Sequence, residues 1–490
     1  MKTKISRIMS TQHPDNVTIP FFANSATMTG DDEVQEAFYA YSHLNVDEQL
    51  WDVEGKEVDN YVVQKLLSKY SEYFKDVVLG QDKFLTLRAP NPAVEKSEAK
   101  VLGEIIYSIP KNHDLATHFY GKDSTPIFEI VLPMCQDDKQ LVRVHDFYET
   151  FIKNSQTQRV GDTTLSLWLG EFKPAEIRVT PLFETKEEIL NAHIYVKNYV
   201  KAKNIRDQQR VWFARSDPAL NYGSVAAILL VKVALQRIHK LESELGVELL
   251  PIIGMGSSPF RGNFKPSTAK QILKGYPSVQ TFTIQSAFKY DYPLKEVVEA
   301  IDFINKQPRS AALQINEEEA LHYIDVIHDD YADSIKELEI PVNSMSNFIP
   351  NRRKRKLHTG LFGYSRNSNG VKLPRAIKFC CALYSFGLPP EVLGLASLSR
   401  DDIERIKRAG YANIDYDLSE ALQYLNVDNL DYFTPKIKEK VLRVASLFKY
   451  EVNEPHKRAT SQILESLKRN DQASVSEWII KAAHIRRFLG

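Results

Sequence analysis

Two carboxylates stand where chemistry is most easily built. Glu184 closes the run Pro181-Leu182-Phe183-Glu184, and Asp217 closes Trp212-Phe213-Ala214-Arg215-Ser216-Asp217. Both runs read as strands, one strand-helix unit apart, and adjacent strand ends bring such side chains within reach of one ion. Two carboxylates with room left for water and substrate suit Mg²⁺ or Mn²⁺, which prefer oxygen ligands and keep part of their hydration. Asp217 also precedes Pro218, the pattern of a helix N-cap followed by Pro at the first helical position. Spacing alone leaves the metal and the cap readings both open.

Three further segments carry polar chemistry. The stretch Gly254-Met255-Gly256-Ser257-Ser258-Pro259-Phe260-Arg261-Gly262-Asn263-Phe264 combines glycines, hydroxyls and an arginine. It reads either as a phosphate cradle, with Gly256, Ser257, Ser258 and Arg261 binding substrate, or as a structural turn. The basic run Arg352-Arg353-Lys354-Arg355-Lys356 leads through Gly360 and Gly363 to Arg366. Such a run is a solvated loop, a nucleic-acid contact or, with glycines around it, a mobile lid over an anionic substrate. The third segment, Ser10-Thr11-Gln12-His13-Pro14-Asp15-Asn16, is a polar turn in which nothing local singles out His13.

The elements that must position these residues follow from periodicity. Apolar or β-branched runs at Phe84–Arg88, Ile127–Leu132, Glu176–Phe183, Arg210–Ala214, Leu249–Ile253 and Val279–Ile284 alternate with amphipathic stretches. Their recurrence predicts α/β architecture, a closed (β/α)8 TIM-type barrel in preference to an open doubly wound sheet. Thr185-Lys186-Glu187-Glu188 is a capping box, so a helix starts at Thr185 and presents Ile189, Ala192, Val196 and Val200 to the sheet. Glu184 is thereby left at the mouth of its strand. Beyond Ser399 the segments are helical, as in Asp401–Ala409 and Lys436–Phe448. One large domain is expected, with the barrel over roughly 10–400 and a helical region over roughly 400–490.

Composition narrows the function classes. The 490 residues are 43% hydrophobic and 26% charged, with Lys plus Arg equal to Asp plus Glu at 63 each. No global field draws the chain to nucleic acid or an anionic membrane. The N-terminus lacks a stretch of signal-peptide length, and the apolar run Ala226–Val231 is far too short to span a bilayer. Three cysteines, Cys135, Cys380 and Cys381, give neither a disulfide framework nor a Cys-x-x-Cys pair. A cytoplasmic protein with no membrane or nucleic-acid partner is expected.

Taken in order, STQHPDN at 10–16, PLFET at 181–185, ARSDPALNYG at 214–223, GMGSSPFRGNF at 254–264, RRKRKLHTGLFGYSR at 352–366 and PRAIKFCCALYSFGLPPEVLG at 374–394 resemble the archaeal-type phosphoenolpyruvate carboxylases. The resemblance implies an enzyme that makes oxaloacetate from phosphoenolpyruvate and bicarbonate, with a Mg²⁺ or Mn²⁺ cofactor held by Glu184 and Asp217. It further implies catalytic roles for His13, Arg261 and Arg375, substrate contacts from Arg88, Arg352, Arg355 and Arg366, and a homotetramer. The chain departs from the long branch of that family, which has Lys at Leu220, Asp at Asn221, and His and Arg at Ile253 and Met255. The terminal Gly490 is similar to that branch's C-terminal glycine. Two other readings use the same residues: a different metal-dependent barrel lyase or aldolase acting on phosphoenolpyruvate or 2-oxo acids, and nucleic-acid binding through the basic run.

Overall fold

The computed structural model describes residues 5–53, 59–354 and 370–490, with the backbone alone at 366–368. Eight parallel strands close a barrel: β1 (Ile8–Ser10), β2 (Glu48–Asp52), β3 (Phe84–Arg88), β4 (Glu129–Leu132), β5 (Arg178–Phe183), β6 (Gln208–Ala214), β7 (Glu248–Gly254) and β8 (Thr281–Ile284). Each strand pairs with the next in sequence, and β1 pairs with β8 through Ile8–Phe282, Met9–Thr283 and Ser10–Ile284, so no edge remains. The six strands expected from apolar runs are present. Two that those runs did not reveal, β1 and β2, complete the closure.

Strand alternation sorts the interior into layers, because every second residue faces the same side. The deepest layer is polar. Glu48 on β2, Glu129 on β4, Arg210 on β6 and Thr281 on β8 meet there, and all four are buried. Arg210 donates to Glu48 through Nη1 at 2.7 Å and Nη2 at 3.0 Å, to Glu129 at 3.3 Å and to Thr281 Oγ1 at 3.1 Å. Thr86 and Thr180 donate to Glu48 and Glu129 respectively. Burial works against the guanidinium, but the two carboxylates hold its pKa above the usual arginine range.

Two residues further along each strand, the interior turns apolar. Leu50, Val131, Leu182, Trp212 and Ile252 pack with Met9 and Ala214 in one buried cluster. One step further again, the same alternation delivers Asp52, Glu184 and Gln285 to the strand ends. The barrel is thus a filled core with these polar strand ends at its C-terminal mouth.

The helix Lys186–Ala202 begins as the capping box predicts. Thr185 accepts from the Glu188 amide, and the Glu188 carboxylate accepts from the Thr185 amide at 3.0 Å. Ile189, Ala192, Val196 and Val200 are buried on its inner face. Among the described residues after β8 the regular elements are helices and one short ribbon joining 366–368 to 371–373. The chain's end returns to the barrel, where the Leu489 amide donates to the Asp15 carbonyl at 2.7 Å. Among the described residues no helix is long and apolar enough to cross a membrane.

The polar layer yields a stability prediction. Arg210→Met leaves Glu48 and Glu129 buried together without their cation, a change that costs on the order of 3–5 kcal/mol. Urea denaturation is expected to show that loss, and to show most of it recovered when both glutamates are also changed to Gln. A loss below about 1 kcal/mol would mean that the layer does not depend on the ion pairs.

Candidate active site

The strand ends and two helix starts enclose a pocket at the barrel mouth. His13, Arg88, Glu184, Asp217, Arg261 and Arg375, which lie far apart in sequence, all line it. Leu182, Trp212, Ala214 and Leu220 form its apolar part, and Asp52, Thr283 and Gln285 add polar atoms. Four arginines, Arg88, Arg215, Arg261 and Arg375, and a histidine stand there with two strand-end carboxylates, a concentration of cationic donors that suits an anion.

His13 sits on the turn after β1. Its Nδ1 lies 3.0 Å from Thr11 Oγ1, and its carbonyl accepts from the Asp15 and Ser286 amides, both at 3.1 Å, so the backbone beneath the ring is fixed at both ends. Arg88, ending β3, forks onto Asp52 at the end of β2, with Nε to Oδ1 at 2.8 Å and Nη2 to Oδ2 at 3.2 Å. Such a pair orients the guanidinium at the edge of the pocket.

Glu184 and Asp217 occupy the ends of the adjacent strands β5 and β6. The helix here is Ser216–Tyr222, with Arg215 at the N-cap and Asp217 inside the first turn. Asp217 is therefore not the N-cap that Pro218 suggested. Among the described residues no group of three or more His, Cys, Asp or Glu could gather on one ion. The donor set offered to a divalent ion is thus two carboxylates, which fits a hard cation that completes its shell with water and substrate.

Arg375 precedes the helix Ala376–Phe386, and Ala376 and Ile377 of its first turn also line the pocket. A helix start presents free N–H groups and the positive end of the backbone dipole, so this corner reinforces the arginine as an anion site.

Arg261 is buried at 2% exposure, yet it reaches the pocket wall. Its Nε donates to Ser216 Oγ at 3.0 Å, Nη1 to Asp15 Oδ2 at 3.3 Å and to the Gly490 carbonyl at 2.8 Å, and Nη2 to Gln285 Oε1 at 2.5 Å. Asp15 also accepts from the Ala287 and Ser257 amides at 2.7 and 3.2 Å. Burial raises the Asp15 carboxyl, and Arg261 opposes that rise.

Gly254, at the start of the glycine-rich loop, also lines the pocket, while the rest of that loop supports Arg261. A Cβ at Gly256 would sit 2.7 Å from Arg261 Nη1, so only glycine lets the guanidinium pass. The loop's amides are used locally: Gly256 donates to the Arg261 carbonyl and Phe264 to the Gly256 carbonyl. Ser257 is buried and its amide is taken by Asp15, while Ser258 is buried against Cys380. Gly256, Ser257 and Ser258 thus stand behind Arg261.

The start of the basic run is likewise buried. Arg352 donates to the Asn16 and Val17 carbonyls at 3.3 and 3.0 Å, just past His13. Arg353 donates to both oxygens of Glu36 at 2.6 and 2.7 Å, and Lys289 bridges Glu36 to Ser10 Oγ and the Thr11 carbonyl. Against the effect of burial, Arg353 and Lys289 pull the Glu36 carboxyl down to about 2. Of the mobile loop expected over 352–366, residues 355–365, Arg355 among them, lie outside the described residues, and the side chain of Arg366 does too. Asp15, Asp52 and Gln285 were not among the expected site residues; the strand ending at Asp52 was the available signal for one of them.

These features can be set beside known proteins. A family model described as phosphoenolpyruvate carboxylase matches residues 5–490. A phosphoenolpyruvate carboxylase of Methanospirillum hungatei is 47% identical, covering 99% of this chain and all of the relative. One from Methanothermobacter thermautotrophicus is 46% identical over the same shares. One from Pyrococcus furiosus is 48% identical over 89% of this chain and 90% of its own. With a barrel-mouth pocket that gathers the family's motif residues, and relatives matched along their whole length, the chain belongs to the archaeal-type phosphoenolpyruvate carboxylases.

Proposed function

We propose that the protein carboxylates phosphoenolpyruvate with bicarbonate, giving oxaloacetate and phosphate through carboxyphosphate and an enolate. The observation that carries this reading is the convergence of Arg88, Arg261 and Arg375 with His13 on one pocket that also presents Glu184 and Asp217. Both substrates and both products of the reaction are anions, and the pocket is walled by cations over an apolar floor.

The residues divide the work by position. Arg375 and the helix start beside it would take the phosphoryl oxygens, and Arg88, held by Asp52, would orient the substrate carboxylate. Bicarbonate oxygen attacks phosphorus as the bond to the enol oxygen breaks, leaving carboxyphosphate and the enolate of pyruvate. A divalent ion, Mg²⁺ or Mn²⁺, held by Glu184 and Asp217 would supply charge stabilisation for that enolate. His13, with its ring beside Thr11, would take the proton from the carboxyl group of carboxyphosphate, which then gives CO₂ and phosphate. C3 of the enolate adds to CO₂ and forms the new carbon–carbon bond.

Leu182, Trp212, Ala214 and Leu220 suit the carboxylation step. An apolar floor holds CO₂, which has no charge to pair, and keeps water from protonating the enolate. Leu220 occupies the place where the long branch carries a lysine, so in this chain the pocket's positive charge rests on arginines set around the rim.

The purified protein is expected to form oxaloacetate from phosphoenolpyruvate only when bicarbonate and a divalent ion are both present, followed by coupled reduction of the oxaloacetate. Activity that survives EDTA, or that yields pyruvate alone, would contradict the proposal. Glu184→Ala and Asp217→Ala are each expected to abolish turnover and Mn²⁺ binding in calorimetric titration. Because Asp217 is half-buried in a first helical turn, its loss should lower stability by no more than about 1 kcal/mol. Full Mn²⁺ affinity in either variant would remove that carboxylate from the metal site.

A further inference from the structure

Behind the end of β6 lies a second cavity of about 180 Å³, separated from the catalytic pocket by Arg215, which borders both. It opens to the surface between Lys274, Leu313 and Ala412, which are exposed, and its floor is Arg215, Lys232 and Asp417, which are buried.

The floor has more donors than acceptors. Arg215 is fully buried, and among the described residues none of its three guanidinium nitrogens makes a hydrogen bond of good geometry. An arginine does not shed its proton to escape this, so the unmet donors carry their whole desolvation cost. The one carboxylate near it is already engaged: Asp417 Oδ1 accepts from Asn263 Nδ2 at 3.0 Å and Oδ2 from the Tyr411 hydroxyl at 2.7 Å. The Tyr276 hydroxyl lies close enough to interact with Arg215 as an acceptor, which still leaves the fork short of well-aligned acceptors.

Lys232 adds a second cation. Its Nζ donates to the Gly275 carbonyl at 2.7 Å and lies 4.6 Å over the Tyr276 ring, which leaves ammonium hydrogens beyond the one so used. Burial brings its pKa down to about 7, with Asp417 resisting, so it is charged in a large fraction of molecules near neutrality. Two cations therefore face one satisfied carboxylate. Water filling a polar cavity of this size would meet the hydrogen bonds but would leave the charge uncompensated.

We propose that this cavity binds a small oxyanion of the carboxylate, bicarbonate or phosphate class, held by the Arg215 fork with Lys232 as the second charge. The site is separate from the catalytic pocket, and its existence does not depend on the reaction assigned to that pocket. Its consequence for the pocket is positional. Arg215 is followed directly by Ser216, which accepts from Arg261, and by Asp217, so an anion on Arg215 would fix the turn that carries both.

Selenate, a tetrahedral oxyanion with an anomalous X-ray signal, is the direct probe. Crystals of the wild type grown with selenate are expected to show a peak between Arg215 and Lys232, and crystals of Lys232→Met to lack it while any peak in the catalytic pocket persists. In solution, titrations with formate, bicarbonate and phosphate that follow the thermal midpoint are expected to identify which oxyanion is preferred. Lys232→Met should weaken the response by about tenfold or more, the effect of losing one charged hydrogen bond. If that variant does not fold, Leu313→Trp, which narrows the mouth and leaves the floor intact, is expected to weaken the response as well. Selenate confined to the catalytic pocket, or equal anion responses in wild type and folded variants, would overturn the proposal.

Discussion

The site depends on one buried guanidinium. Arg261 donates to partners from four separate parts of the chain: Asp15 after β1, Ser216 after β6, Gln285 after β8 and Gly490 at the end of the sequence. A planar fork with five donors can satisfy such a set at once, which a lysine cannot. Its room is made by Gly256, where any side chain would strike it. Through Asp15 the same junction fixes the turn that carries His13, and through Ser216 it fixes the turn that carries Asp217. The residues proposed to touch substrate are thus set by contacts that lie behind them.

The barrel below has the corresponding division of labour. Alternation along each strand places a charged, ion-paired layer at the bottom, an apolar layer in the middle and the pocket-lining residues at the mouth. The apolar layer insulates the mouth from the Arg210 network, so the pocket's electrostatics are decided by Arg88, Arg375, the acids and the helix start beside Arg375. Cations at the mouth are oriented by acids, as Arg88 is by Asp52 and Arg261 by Asp15. That arrangement suits substrates that are negatively charged.

Much of this was legible in the sequence, for identifiable reasons. Apolar runs revealed six strands because their outward residues pack under helices and are buried too. β2 was missed because its inward positions hold Glu48 and Asp52, and inward carboxylates break the pattern on which an apolar reading relies. β1 was missed because three residues carry too little periodicity. Strand ends located Glu184, and the capping box after it located the following helix to the residue. Partnerships across hundreds of residues were not legible. Nothing near Gly256–Ser258 indicates that their function is to clear a path for Arg261, and nothing near Arg352 and Arg353 shows that carbonyls at 16–17 and acids at 33 and 36 will bury them. A run of charge on paper reads as exposed until its counter-charges are known.

The central claim is that bicarbonate oxygen attacks phosphorus in this pocket, a step the arginines assist by neutralising two approaching anions. Turnover with ¹⁸O-labelled bicarbonate tests it directly by mass spectrometry of the products, taken early enough to limit exchange with water. The account predicts that each phosphate released carries a single labelled oxygen, with the remaining label in the new carboxylate of oxaloacetate. Phosphate free of label, alongside labelled oxaloacetate, would contradict it.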